Sequence, residues 1–343
     1  MGTWFDESRL DDEAVLAAFD SRLRTLAESG ARVRREAHEA AQATAELIMR
    51  DRDVPRPRAV IAAGPDSRLL RAVLEPWCPV PFVAWPNPGL PGWAGSLDLV
   101  VMLAPEGSDH GSASAVAEAV RRGAQVVVAC PERSMVAEHA AGRYTTVLPT
   151  VTGDQLATAV VMLDYLAHVH LGPHTDAEVV ATALDGVATS CSPHRDLAVN
   201  PAKMLAIAMA DTTQIVWGGS VLAARAARRV AEAIRRASGR SAVAGDAEHL
   251  LPLVEAAKPR DVFADPFAED TAELRPLLLV LEDGSDDPVV RESAGTLRAA
   301  AAARGVRVET ITTDADEEVA RYASLVLSGT YAAEYLRIGL VED

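Results

Sequence analysis

Apolar residues in the first fifty positions repeat three or four residues apart, the spacing of one helix face. Asp11 and Asp12 are residue types favoured at a helix start. The apolar positions that follow them are Val15, Leu16, Phe19, Leu23 and Leu26. A second helical pattern runs from about residue 31 to residue 49, and the prolines of residues 52–57 end it. Residues 1–52 are therefore predicted to form N-terminal helices.

From residue 59 the pattern changes to short aliphatic runs, which are typical of fully buried strands. These runs are 59–63, 80–84, 97–103, 125–129 and 144–148. Helical patterns separate them at 67–74, 112–121, 135–141 and 153–169. Strands that alternate with helices form parallel sheets with helices on both faces. The pattern predicts a first α/β domain over residues 53–172.

The same alternation restarts in the second half of the chain. Its predicted strands are 214–217, 241–244, 277–281 and 307–311. Its predicted helices are 202–209, 220–237, 248–256, 288–304 and 317–336. In each half the first strand leads to its helix through a glycine turn, at Gly64 and at Gly218-Gly219. We therefore predict a second α/β domain over residues 173–343.

The amino-acid composition and charge argue against several classes of protein. The 343 residues are 49% hydrophobic, which excludes an extended disordered chain. A net charge of −16 argues against binding to nucleic acid or to an anionic membrane surface. The longest uncharged stretch, 76–97, contains six prolines and cannot be a membrane helix. Three widely spaced cysteines fit reduced thiols, so a cytoplasmic location is expected.

Five stretches point to a known family. They are Arg-Ala-Val-Leu-Glu-Pro-Trp-Cys-Pro-Val-Pro (71–81), Gly-Leu-Pro-Gly-Trp (89–93), Glu-Ala-Val-Arg-Arg-Gly-Ala-Gln-Val-Val (118–127), Asn-Pro-Ala-Lys (200–203) and Ser-Leu-Val-Leu-Ser-Gly-Thr-Tyr-Ala-Ala-Glu-Tyr-Leu (324–336). In order and spacing the chain resembles the bifunctional phosphoglucose/phosphomannose isomerases, which have two SIS (sugar isomerase) domains. The resemblance implies two SIS-type domains, each a parallel sheet flanked by helices on both faces, and a homodimer.

The resemblance also implies an activity. Enzymes of this family interconvert glucose or mannose 6-phosphate with fructose 6-phosphate, without a metal, nucleotide or other cofactor. A glutamate moves the proton through an enediol, and a histidine assists ring opening. A Ser/Thr-rich loop at a helix N-terminus holds the phosphate, because free N–H groups and the helix dipole favour an anion there.

The residues at the matching positions depart from this pattern. The family's Ser-Tyr-Ser-Gly-Asn-Thr loop falls on Ala-Pro-Glu-Gly-Ser-Asp at 104–109. Its Asn-Glu-Asn-Ala-Lys segment, which carries the catalytic glutamate, falls on Arg-Arg-Ala-Ser-Gly at 235–239. A carboxylate a few ångströms from a phosphate costs about 1 to 4 kcal/mol, which is enough to offset the helix dipole. We expect the family's catalysis to be lost.

Candidate ligand-binding residues lie in the turns that follow predicted strands. They are Ser67, Glu106, Ser108, Asp109, His110, Gly218, Gly219 and Ser220. A simpler interpretation, in which these residues only form turns and helix caps, stays open. No catalytic residue is assigned, and the candidates are Glu248, His249 and Arg236. No metal site is predicted, and Lys203 is expected to be structural.

Three functions remain in competition at this stage. The first is a catalytically degenerate SIS-domain protein that binds a carbohydrate derivative or sugar phosphate in a regulatory or scaffolding role. The second is an active aldose–ketose isomerase in which Glu248, His249 and Arg236 have taken over the acid and base roles. The third is a divalent-cation site formed by the acidic strand-end loops at Glu106, Asp109 and residues 283–287.

Overall fold

The structure, a computed structural model, divides into two compact units. It describes residues 3–51, 56–258 and 274–342. The first unit is Ser29–Thr182. The second combines the residues through Glu28 with those from Ala183 onward.

Eleven strands and thirteen α-helices are assigned within the described residues. The strands are β1 (Thr3–Phe5), β2 (Val60–Ala63), β3 (Phe82–Trp85), β4 (Leu99–Leu103), β5 (Gln125–Cys130), β6 (Thr145–Pro149), β7 (Thr212–Gly218), β8 (Ala242–Ala244), β9 (Arg275–Glu282), β10 (Arg307–Thr312) and β11 (Leu340–Glu342). The helices are α1 (Glu13–Ala18), α2 (Asp20–Ala27), α3 (Ser29–Asp51), α4 (Ser67–Leu74), α5 (His110–Arg121), α6 (Met135–His139), α7 (Gln155–His168), α8 (Ala177–Ser190), α9 (Pro201–Met209), α10 (Val221–Ser238), α11 (Ala247–Glu255), α12 (Pro288–Arg304) and α13 (Glu318–Gly339). Short 3-10 turns lie at Glu7–Leu10 and Leu197–Val199.

The first unit is built on a five-stranded parallel sheet with the order β3-β2-β4-β5-β6. Its central strand β4 is buried along its whole length, as expected for an aliphatic run with helices on both sides. Ile61, Val100 and Val128 from three adjacent strands pack with Val116 of α5 in one core. The prediction of five parallel strands is confirmed, and each lies within two residues of its expected limits.

The second unit contains a four-stranded parallel sheet with the order β10-β9-β7-β8. The interior of β9, from Leu277 to Leu281, is buried. Helix α13 packs against α9 and α10, and it buries residues on all sides, including Tyr331 and Tyr335. All four predicted strands are present, so the predicted α/β architecture with parallel sheets and flanking helices is confirmed.

The N-terminal region differs from its prediction in two ways. The first predicted helix is two helices, because Phe19 leaves the helical conformation and ends α1 before α2 begins. Strands β1 and β11 form an antiparallel ribbon that the sequence pattern did not predict. The ring of Phe5 lies over Gly339, where an added Cβ would come within 2.2 Å of it. The predicted boundary at residue 52 lies outside the described residues, and the predicted domain limits stay predictions.

Lys203 anchors the start of α9 in the second unit. The side chain of Asn200 caps this helix by accepting hydrogen bonds from the N–H groups of Ala202 and Lys203, both at 3.1 Å. The fully buried ammonium of Lys203 donates to Asp11 Oδ1 at 2.6 Å. It also donates to two main-chain carbonyls, of Pro193 at 2.8 Å and Arg195 at 2.9 Å. These contacts give the Asn-Pro-Ala-Lys segment a structural role.

No described helix is both long and apolar enough to cross a bilayer.

Candidate functional site

The loop that follows β2 brings Gly64 and Ser67 to the carboxyl edge of the first sheet. Gly64 has a φ of +86°, which favours glycine, and its N–H donates to Trp85 O at 3.0 Å. Gln155 of α7 donates to the carboxylate of Asp66. Ser67 is 1% exposed, and its hydroxyl has no hydrogen-bond partner in the described part of the chain. A ligand could reach Ser67 only if this loop moved.

The loop that follows β4 lies beside the first loop. A Cβ placed on Gly64 would lie 3.6 Å from Ser112 Oγ, so the two turns are close enough for van der Waals contact. Asp109 is the N-cap of α5, and its Oδ2 accepts the N–H of Ser112 at 2.6 Å. Hydrogen bonds from the side chain and the N–H of Ser112 lower the pKa of Asp109 below its usual value. Asp109 is therefore an anion at this helix N-terminus.

The neighbouring candidates in that loop face solvent. Glu106, Ser108 and His110 are exposed, whereas Gly107 is buried. Gly107 has a φ of +67°, and a Cβ there would lie 2.3 Å from that of Ser134. The loop is thus fixed by its glycine while its polar side chains stay accessible. Helix α5 begins at His110, two residues earlier than predicted.

In the second sheet, Gly218 and Gly219 allow the chain to pass close to two helices. A Cβ on Gly218 would lie 2.2 Å from the carbonyl oxygen of Ala223, in the first turn of α10. A Cβ on Gly219 would lie 2.3 Å from Val290 Cγ1, in α12. Both glycines are required by packing, so the turn is explained without a ligand.

Ser220 caps α10 and is held by a carboxylate. Its Oγ accepts the N–H of Ala223 at 3.0 Å and donates to Asp283 Oδ2. Asp283 follows β9, which is hydrogen-bonded to β7, and its other oxygen accepts the N–H of Ser285 at 3.2 Å. The second sheet therefore repeats the arrangement of the first: a carboxylate of the chain itself is engaged at the strand-end turn.

The catalytic candidates differ in their ion-pair partners. His249 is 72% exposed on the first turns of α11, 4.0 Å from carboxylate oxygens of both Asp246 and Glu248. Arg236, near the end of α10, pairs instead with Glu232 one turn earlier, at 2.5 Å. An imidazole this exposed is accessible, but it is not enclosed beside a substrate-sized pocket as a general base usually is. The catalytic assignment stays a prediction.

The part played by Ser112 was not predicted, although Asp109 and Ser112 have the spacing of an N-cap and its partner. The acidic loops are divided between the units, with Glu106 and Asp109 in the first and Asp283 in the second. Among the described residues, no group of three or more His, Cys, Asp or Glu side chains is placed to hold a metal ion. The divalent-cation hypothesis gains no support from the structure.

Sequence comparison places a known domain type in the second half of the chain. Residues 198–339 match the family model for the bacterial phospho-glucose isomerase C-terminal SIS domain. A comparison with curated protein sequences gives no match.

Solved structures with the same fold span nearly the whole chain. Tagatose-6-phosphate ketose/aldose isomerase from Escherichia coli aligns with a TM-score of 0.60 and 14% identity, over 92% of this chain and 90% of the other. The C-terminal domain of glucosamine-fructose-6-phosphate aminotransferase from Francisella tularensis gives 0.60 and 12%, over 93% and 96%. A glucose-6-phosphate isomerase like protein from Thermus thermophilus gives 0.50 and 15%, over 88% and 91%.

The chain carries an SIS domain over residues 198–339. Its resemblance to the phosphoglucose isomerase family, predicted from the five quoted stretches, is confirmed by the family model and by the shared fold. At 12 to 15% identity the structural neighbours establish only the fold of this SIS-domain protein. The chemistry of its site has to be argued from its own side chains.

Proposed function

We propose that this SIS-domain protein binds a carbohydrate derivative at its strand-end loops and has no hexose-phosphate isomerase activity. The SIS fold supports a sugar ligand, because the structural relatives include proteins named for sugar phosphates. Open parallel sheets also bind their ligands beyond the carboxyl ends of the strands, where these loops lie.

One observation carries the proposal: the chain's own carboxylates are already engaged at the helix N-termini that follow the strands, and the first of these, at Asp109, is where the family would place a phosphate. Asp109 accepts the N–H of Ser112 at the start of α5, and Asp283 accepts the hydroxyl of Ser220 at the start of α10. A phosphate about 4 Å from either carboxylate would meet a repulsion of about 1 to 4 kcal/mol. The donors that would offset this repulsion are in use.

Carboxylates are suitable partners for other carbohydrate groups. Sugar hydroxyls and the ammonium group of an amino sugar both donate hydrogen bonds, and a carboxylate only accepts them. The exposed Glu106, Ser108 and His110 beside Asp109 add further polar contacts at the surface. We therefore infer that the ligand is an uncharged sugar or an amino sugar.

The alternative, an isomerase with relocated residues, has weaker support. It requires Arg236 to act with Glu248 and His249, but Arg236 pairs with Glu232. It also requires a base that is partly shielded from water, whereas His249 is largely exposed. The three residues are nevertheless the correct ones to change if turnover is found.

An activity assay and a binding assay test the two halves of the proposal. Purified protein should convert glucose or mannose 6-phosphate at least about a thousandfold more slowly than the 1 s⁻¹ at the low end of ordinary turnover numbers. Turnover near 1 s⁻¹ that disappears in His249→Ala or Glu248→Gln contradicts the loss of catalysis.

In ligand-observed NMR, glucosamine should bind more tightly than glucose, and Asp109→Asn should weaken glucosamine binding about fivefold. The matched control is Asp211→Asn, an exposed aspartate that precedes β7 at the amino edge of the second sheet, which should leave binding unchanged. The proposal is wrong if glucose 6-phosphate displaces glucosamine at a lower concentration than glucose does. Absence of binding by every sugar at 10 mM, roughly the weakest affinity the assay would detect, contradicts it as well.

The family resemblance further supports a homodimer, and three free cysteines fit a cytoplasmic location. Light scattering coupled to size-exclusion chromatography tests the first point, and a mass of about one chain would exclude the dimer. Fractionation of cells followed by immunoblotting tests the second.

A further inference from the structure

A cavity of about 440 Å³ opens within the first unit, apart from the loops discussed above. Its lining consists of Arg50, Arg56, Pro57, Leu99, Gln125, Val126, Val127, Arg143, Tyr144, Thr146, Tyr165, Val169 and Leu171, and we call it the arginine cavity. Its volume is within the range of small-molecule sites, about 300 to 1,000 Å³. None of its residues takes part in the proposed function.

The arginine cavity lies at the amino-terminal edge of the five-stranded sheet. Leu99 and Gln125 are the first residues of β4 and β5, and Thr146 is the second residue of β6. Asp109, by contrast, follows the carboxyl end of β4. The cavity and the loop that contains Asp109 are therefore at opposite edges of the same sheet.

Among the described residues, the charged groups that line the arginine cavity are all basic. These are Arg50, Arg56 and Arg143, with no described aspartate or glutamate beside them, although acids outnumber bases in the chain by 49 to 33. Arg50 donates to Thr146 Oγ1 at 2.6 Å. The guanidinium of Arg143 lies 5.4 Å from the ring centroid of Tyr144, and no ion pair among the described residues involves it.

The inner lining of the arginine cavity is apolar. Leu99, Val126 and Leu171 are buried aliphatic side chains, and the ring of Tyr165 is buried beside them. The exposed ring of Tyr144 lies beside the guanidinium of Arg143. The apolar lining thus suits a flat apolar group, and the arginines suit an anion.

We propose that the arginine cavity binds an organic anion in which a phosphate or carboxylate group is joined to a flat, mainly apolar ring. Guanidinium groups match the geometry of phosphate and carboxylate, with which they form paired hydrogen bonds. The ring of the ligand lies on the aliphatic lining and displaces water from it. Inorganic phosphate lacks the ring and uncharged nucleosides lack the anion, so each makes only part of these contacts.

A fluorescent aromatic anion, methylanthraniloyl-AMP, is the direct probe. The intact protein should bind it, and AMP or naphthoate should displace it, whereas adenosine and inorganic phosphate should need at least about tenfold higher concentrations. If AMP displaces the probe at a lower concentration than naphthoate does, the ligand carries a phosphate. The reverse order indicates a carboxylate. Arg143→Ala and Arg50→Ala should each weaken probe binding about tenfold.

Arg121→Ala is the matched control, because Arg121 is an exposed arginine of the same unit outside the cavity. It should leave the affinity unchanged, and so should Asp109→Asn, which separates this result from the sugar proposal. The inference is overturned if the probe does not bind, if adenosine competes as well as AMP, or if Arg121→Ala weakens binding as much as Arg143→Ala. Circular dichroism of each variant confirms that loss of binding is not loss of fold.

Discussion

Replacement of Lys203 by methionine tests whether the buried ammonium stabilises the second unit. Methionine has nearly the length of lysine and is apolar, so the packing beside Tyr335 is largely retained. The change removes three hydrogen bonds from the fully buried Nζ. It leaves the acceptors in place, including the carbonyls of Pro193 and Arg195.

The loss of stability in Lys203→Met depends on whether the three acceptors find other donors. Asp11 is 44% exposed, so its carboxylate can return to water at little cost, and its screened ion pair contributes at most about 1 kcal/mol. The two carbonyl oxygens lose a charged donor in a partly buried place, at about 1 to 2 kcal/mol each. Lys203→Met should therefore lower the free energy of unfolding by about 2 to 4 kcal/mol. For a unit of this size that is a fall in Tm of about 10 °C.

Urea unfolding of the variant and of the parent protein measures the change. Hydrogen–deuterium exchange of peptides from α9 and α13 assigns it to the second unit, since local destabilisation raises exchange there first. Buried ion pairs can often be replaced by apolar residues without loss of stability. An unchanged urea midpoint in Lys203→Met would show that the pair of Lys203 and Asp11 is replaceable in this way. It would refute the stability cost assigned to the two carbonyls that lose their donor.

Three further outcomes are expected. The hydrogen bond from Lys203 lowers the pKa of Asp11 below its usual value of 3.8. The contribution of the Asp11 carboxylate to stability is therefore complete above pH 3.8 and is lost as the pH falls through the lowered pKa. The difference in urea midpoint between the parent and Asp11→Asn should vanish below that pKa. Asp98→Asn, which breaks a buried carboxylate's paired bonds to Arg58, should lower Tm by about 5 °C, while Glu75→Gln in an exposed pair should change it by less than about 1 °C. Gly218→Ala should destabilise by about 2 kcal/mol through its clash with α10, whereas Gly295→Ala, in open space on α12, should stabilise by about 0.5 to 1 kcal/mol, both measured by urea unfolding.

The strands could be predicted because each is an unbroken aliphatic run whose two faces are both buried. No comparable signal exists for β1 and β11, which are three residues each and pair across nearly the whole chain. Their stability depends on contacts such as that between Phe5 and Gly339, which no local pattern encodes. The break at Phe19 is similar, since the apolar spacing continues through it while the backbone does not.

The site was less predictable than the fold. The Asp109 cap follows from a local spacing of residue types, but the hydrogen bond between Ser220 and Asp283 joins residues that are 63 positions apart. Only the pairing of β7 with β9 brings them together. The arginine cavity was even harder to predict from the sequence. Arg50 and Arg143 lie in segments far apart in the chain, which become neighbours only at the edge of the folded sheet.

The net charge of −16 does not exclude every anionic ligand, although it argues against binding to nucleic acid or to an anionic membrane surface. Interactions between exposed charges fade over about 8 Å at physiological ionic strength, so an anion responds to the groups within that distance rather than to the chain as a whole. At the carboxyl edge of the first sheet those groups include Glu106 and Asp109, and at the amino edge they include Arg50 and Arg143. Added salt should therefore weaken methylanthraniloyl-AMP binding at the arginine cavity, while it relieves the repulsion of phosphate at Asp109. We therefore expect a single sheet to reject a phosphate at one edge and to attract an organic anion at the other.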